Sequence, residues 1–228
     1  VPVAPRMIPY SGDPFIERGI RFDPDAGDAQ SIESGGILVE WNEVVTGEIT
    51  IGGYNLYKAA ASSNGTPGEF AHVARIVDVP IGNDTSYSDT ALTANIRYWY
   101  YVRAYTRGAE VEGPPSDTVF FSLTARPIQY FPIGAIDSAE LEPLIFRYGP
   151  SVVGGAVALH LDRVRADNER IVLDTVWRKR AHGSFVDPQV VYDGPPLQSN
   201  SSYRWRVDKI AGSQPSGNAS SWVTFVTP

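Results

Sequence analysis

"NIRYWYYVRAYT", residues 95–106, sets five aromatic side chains in twelve positions. Its only charged residues are Arg97 and Arg103. Read with a period of two, the rings fall into two rows. Tyr98, Tyr100, Val102 and Ala104 line one side of an extended strand, and Trp99, Tyr101, Arg103 and Tyr105 line the other. One row can fill a core, so the other must meet something else. A paler copy, "SSYRWRVDKIAG", stands at residues 201–212. Leu92 precedes Tyr98 by six residues, and Leu197 precedes Tyr203 by six. The pattern L-x5-Y-x-[YW]-x-V thus recurs 105 residues on, which is one domain's length.

The rest of the chain repeats this alternation in short runs bounded by Gly, Pro, Asn, Asp and Ser, and almost no helical period occurs. "GILVEW" puts Ile37, Val39 and Trp41 on one face. "GGYNLYKA", "FAHVARIVDV", "TSYSDT" and "VFFSL" supply further strands, with the turn "EGPPSD" before the last. The 228 residues are 43% hydrophobic and 20% charged, enough for a packed core, and 18 prolines and 21 glycines mark many turns. An all-β fold of two related domains follows, joined near "SLTARP" at residues 122–127.

The chain resembles a pair of fibronectin type III domains. In that family a Leu six residues before a strand-F Tyr forms a tyrosine corner, and a Trp on strand B fills the sandwich. "ILVEW" with Trp41 matches strand B, "GYNLYKA" strand C, "LTANIRYWYYVRAYT" the corner and strand F, and "PPSDTVFFSL" strand G. In the second half "LQSNSSYRWRV" matches the corner and "SSWVTFVTP" a terminal strand, whereas "PLIFRY" puts Tyr148 where the Trp would stand. The resemblance implies two immunoglobulin-like β-sandwich domains in tandem, over residues 36–124 and 125–228. Residues 1–35 then form an extended N-terminal segment and a long loop leading into the first domain. The "ERGI" lead-in resembles that of exported bacterial proteins of this family.

Charge narrows the partners. The net charge is −7, which argues against nucleic acid. Residues 1–124 carry 8 Lys and Arg against 16 Asp and Glu, and residues 125–228 carry 11 against 10, so the first half is acidic and the second near neutral. There is no cysteine, hence no disulfide and no thiolate chemistry. No apolar run approaches the ~18–20 residues of a membrane-spanning helix. The start at Val1-Pro2 is read as a processed product, with an export signal removed.

Nothing nominates an active site or a cofactor. His72, His160 and His182 lack a nucleophile elbow or a zinc motif around them. His72 reads as a structural strand residue, and His160 and His182 as solvated ones beside basic neighbours. Asp23, Asp25 and Asp28 offer close oxygen donors, but the twelfth position of a calcium loop is Ser34, so a solvated turn is the better reading. Gly154-Gly155 reads as a tight turn rather than a phosphate loop. Asn64, Asn83, Asn200 and Asn218 open N-x-[ST] triplets of the kind turn-rich chains produce by chance.

The surplus rings remain. With Tyr54 and Leu56 inward, Tyr57 falls on the outer sheet face, and with Val119 and Phe121 inward, so does Phe120. Tyr57, Trp99, Tyr101, Tyr105 and Phe120 are therefore expected to gather on one face as a partner-binding surface. Cross-strand ring pairing for stability alone, or cover by the loop of residues 11–35, are the competing readings. In the second domain the outer row is Arg204, Arg206 and Asp208. An extended hairpin, "VRADNERIVLDTVWRKRAHGSF", carries Arg178, Lys179 and Arg180 at its far end, suited to an acidic protein or anionic lipid headgroups. The expectation is a non-enzymatic, exported interaction protein, periplasmic or at the cell surface. It would be an extrinsic accessory subunit on the outer face of a bacterial membrane complex, respiratory or photosynthetic in kind. The alternative is a carbohydrate-binding accessory module of a secreted polysaccharide-degrading system.

Overall fold

The computed structural model describes residues 1–13, 15–16, 18–24, 35–45, 47, 50–77, 85–149, 155–167, 170–182, 188–211 and 214–228, with residues 166, 167 and 170 by backbone alone. The chain is all-β, and among the described residues one 3-10 turn, Ser138–Glu140, interrupts the strands. It divides into two compact units between Thr124 and Ala125.

In the first unit, β1 (Arg6–Met7) and β2 (Arg21–Asp23) lie along β3 (Gly36–Asn42), with Met7 opposite Trp41 and Arg21 opposite Leu38. The aperiodic lead-in thus contributes two short strands to a sheet. β4 (Ile51–Ala60) and β5 (Ala71–Val77) belong to the other sheet, and β6 (Ser86–Asp89) returns to β3, pairing Val39 with Tyr87. β7 (Arg97–Thr106) and β8 (Val119–Leu123) complete the order β5-β4-β7-β8. Tyr98, Tyr100, Val102 and Ala104 are all buried, so the phase read from the sequence holds. Ile37, Val39 and Trp41 of β3 are buried as well, and the Trp41 ring stands edge-on to Tyr54 of β4 at 5.4 Å. Each such large apolar side chain contributes about 1.5–3 kcal/mol on burial.

The second unit repeats the plan. β9 (Ile128–Phe131), β11 (Ile145–Gly149) and β14 (Gln189–Val191) form one sheet in the order β14-β11-β9, while the two-residue β10 (Gly134–Ala135) pairs in parallel with the last strand. β12 (Ala156–Asp167) and β13 (Arg170–His182) form the long hairpin expected from the sequence. β15 (Ser202–Ile210) pairs with β12 on one side and with β16 (Ser216–Ala219) and β17 (Val223–Val226) on the other. Tyr148 is buried at the strand-B position, beside Phe146, whose ring contacts Trp177, Trp205 and Phe225. With Trp205 fully buried and donating its Nε1–H to the Pro132 carbonyl at 2.8 Å, the core keeps an indole without one on strand B.

Both corners close in the same way. The Tyr98 hydroxyl accepts the Thr93 N–H at 3.0 Å, and the Tyr203 hydroxyl accepts the Gln198 N–H at 2.8 Å. A buried phenol oxygen without such a partner is destabilising by roughly 1–3 kcal/mol.

Candidate functional site: a half-covered ring cluster and a charged sheet face

Outward side chains of β5, β4 and β7 meet in the first unit. Tyr57 stands directly opposite Tyr101 in register, and their rings stack at 4.8 Å and 12°. Phe70 leans on Tyr101 at 4.9 Å, and the His72 ring meets Tyr57 edge-on at 5.5 Å. Tyr57, Tyr101 and Phe70 are half-buried and His72 is exposed. Phe70 opens the run "FAHVARIVDV" read as a strand, but its contact with Tyr101 was not legible, because the ring stands one residue before β5 and meets a strand two places away in the sheet.

Polar groups rim the stack. Glu112 accepts the Tyr57 hydroxyl proton at 2.8 Å and the Asn55 Nδ2–H at 2.5 Å, with the Arg103 guanidinium 3.9 Å away. Burial and the Glu112 carboxylate push the Tyr57 phenol up to about 12. The arrangement is built for contact, with aromatic edges at the centre and hydrogen-bonding groups around them.

The five nominated rings do not form one continuous free patch, and two of them are corrected here. Trp99 is only 9% exposed and Tyr105 only 3%. Trp99 lies against Phe120 at 5.9 Å, and the Arg97 guanidinium sits 5.5 Å from Trp99 and 4.8 Å from Phe120. The flat, weakly hydrated guanidinium caps the pair. Tyr105 lies across the backbone of Gly52, where an added Cβ would come within 2.7 Å of the ring. Arg75 covers the ring at 4.4 Å. Phe120 is half-buried, so Tyr57 and Tyr101 are the nominated rings that still offer a shared edge.

The basic hairpin of the second unit is also less free than its sequence implies. Arg178 and Arg180 are exposed on one face of β13, whereas Lys179 is half-buried on the other. Arg178 donates to Asp162 Oδ1 at 2.8 Å and to the Leu161 carbonyl at 3.1 Å. Lys179 is tied to Asp193, whose carboxylate also accepts the Trp177 indole N–H at 2.9 Å and is held below the usual carboxylate range by both donors. The outer row Arg204, Arg206 and Asp208 is an ion-pair network rather than an open charged face. Arg204 joins Arg178 on Asp162, Arg206 meets Asp208 at 3.0 Å, and Trp222 lies under Arg204 at 4.0 Å. His160, read as solvated, is 5% exposed with its Nε2 2.8 Å from Asp208 Oδ2. Register explains this: His160 sits between Arg178 and Arg206 on the two neighbouring strands.

Asp23 accepts the Ser88 hydroxyl proton at 2.5 Å, while Asp25 and Asp28 lie outside the described residues, as do Asn83 and Gly154. Among the described residues no group of three acidic or histidine side chains converges as a metal site. Asn64 closes a turn by accepting the Thr66 N–H at 3.1 Å, and Asn218 is buried.

No protein-family model matches the chain, and no curated protein sequence does. Solved structures similar to it are fibronectin-type folds and a receptor chain. A Fn3-like protein from Clostridium thermocellum aligns at a TM-score of 0.32 and 19% identity, over 52% of this chain and 90% of that one. The FN1-FN3 domains of chicken CNTN1 align at 0.35 and 14%, over 98% of this chain and 66% of that one. The interferon gamma receptor alpha chain of chicken aligns at 0.32 and 11%, over 85% and 92%. Scores this low add nothing to the strand order itself, and the fold stands on the registers described above.

Proposed function

We propose that this chain is a non-enzymatic binding module that docks a protein partner through the Tyr57–Tyr101 face of its first unit. In this reading it acts outside the cytoplasm, in the periplasm or at the cell surface. It serves as an extrinsic accessory subunit of a larger bacterial membrane complex, respiratory or photosynthetic. The observation that carries the reading is the half-covered ring cluster, rimmed by Glu112, Asn55 and Arg103. Aromatic side chains of low conformational freedom, surrounded by groups that can exchange hydrogen bonds, are the usual anchors of protein interfaces. The cluster fits a sugar less well. A saccharide platform needs a ring face lying open, and here the Tyr57 and Tyr101 faces are turned to each other at 12°.

The test is capture from detergent-solubilised bacterial membranes by tagged chain. Wild type is expected to retain a complex of defined composition. Tyr57→Ser with Tyr101→Ser should weaken that capture by about tenfold or more, two anchors of roughly 1 kcal/mol each. Equal capture by both forms sinks the reading. Retarded migration through polysaccharide gels, abolished by the same pair, would replace it with carbohydrate binding.

A further inference from the structure

β13 is the outer strand of its sheet. Among the described residues it pairs with β12 alone, and apart from the Trp177 carbonyl, which accepts from Arg178 Nη1 at 3.0 Å, its backbone makes no hydrogen bond beyond that pair. Its thirteen residues are about twice the usual strand length. Exposed edges of this kind are normally blunted by charge, bulges or cover. β13 is blunted only in part. The register slips between Leu161 and Asp162, which leaves Val176 without a partner across the ladder. Because of that slip, Arg180, Arg178, Thr175, Leu173 and Ile171 stand opposite successive outer-face residues of β12. One face of the edge therefore runs from basic to apolar, and its apolar end is bare, with Ile171 76% and Leu173 42% exposed.

The charges choose the occupant. β13 carries Arg170, Arg178, Lys179 and Arg180 against the single acidic Asp174. A second copy laid antiparallel along the edge about a two-fold axis near Val176 would set Arg180 and Arg178 against the apolar Ile171 and Leu173, so neither end would meet its match. A lipid surface draws on several cations facing one way. Here Lys179 leaves the opposite face of the strand from Arg178 and Arg180. A backbone edge, in contrast, accepts a strand whatever its side chains are doing, and the side chains then select the sequence.

We propose that the free edge of β13 accepts an extended segment of an acidic partner protein, added antiparallel. Two acidic residues spaced by two lie beside Arg180 and Arg178, and two apolar residues spaced by two, further along, lie beside Leu173 and Ile171. This surface is separate from the ring cluster of the first unit.

The probe is the synthetic peptide TETETTTVTVT, fluorescently labelled and titrated into the full chain, with TKTKTTTVTVT as control. The acidic peptide is expected to bind at least about tenfold more tightly than the basic one. Arg180→Glu with Ile171→Glu should reverse that order. Hydrogen exchange on the wild-type chain keeps the test independent of how the variant folds: alternate β13 amides should slow when the acidic peptide is bound. Equal binding of the two peptides, or binding without β13 protection, overturns the proposal. So do phosphatidylserine vesicles that hold the chain through Arg180 while the peptide does not bind. The titration reads β13 alone, so its failure leaves the ring-cluster reading standing, and the converse holds.

Discussion

Asn95 and Asn200 turn the backbone left-handed, at φ 64° and 49°. Each stands three residues before its corner tyrosine, and each donates its backbone N–H to the closing strand or the chain end, Asn95 to Leu123 O at 2.6 Å and Asn200 to Pro228 O at 2.9 Å. The repeat is therefore L-x-x-N-x-x-Y, and the asparagine escapes a search for apolar periodicity because its role is conformational. Asn95→Gly and Asn200→Gly should leave stability within about 0.5 kcal/mol, while the alanine variants should each cost about 1 kcal/mol, read by urea unfolding. Tyr57 offers a second check at this scale. Its folded-state pKa stands above the unfolded value, so its contribution is fully present below pH 10 and is lost as pH rises through about 12. Glu112→Gln should bring the phenol down toward its ordinary value, as measured by ultraviolet difference titration against Tyr57→Phe.

At the scale of the strand, much was legible. β3 alternates from Ile37 to Trp41, and the rows counted from the sequence on β7 and β15 are buried, although Trp99, Tyr105, Arg206 and Asp208 of the outer rows are covered as well. β1 and β2 were not, since two or three residues cannot display a period and only pairing with β3 makes them strands. The outward direction of Trp99 and Tyr105 was readable, but their cover was not. It comes from Arg97, two residues before Trp99 on the same strand, and from Arg75 of β5 and Gly52 of β4, whose approach to Tyr105 depends on the order of neighbouring strands. A second repeat was also hidden. Ser116 Oγ accepts the Val102 N–H at 3.0 Å, and Ser220 Oγ accepts the Val207 N–H at 2.9 Å. Each serine ties the loop before its unit's last strand to the same valine of the motif, whose buried N–H it accepts. Ser116→Ala and Ser220→Ala should each destabilise by about 1–3 kcal/mol, with the midpoint of chemical unfolding as the measure.

For the whole molecule the net charge of −7 sets the long-range field, and the basic residues of β13 act only nearby. An acidic segment approaching β13 is repelled at a distance and attracted on contact. Raising salt from about 10 mM to about 150 mM shortens the screening length from roughly 30 Å to 8 Å, which removes the distant repulsion before the local attraction. Peptide affinity for β13 should therefore change by less than about threefold over that range, where a purely attractive pair would weaken steadily. A steep fall in anisotropy titrations would show that the body's charge is not felt at the edge. The unpaired Val176 has one more effect. Counting by twos from Arg178 would bring Asp174 and Val172 to the basic side of the ribbon, yet one supernumerary residue shifts the beat and delivers grease there instead. A single codon thus determines whether the two halves of the hairpin speak to the same visitor.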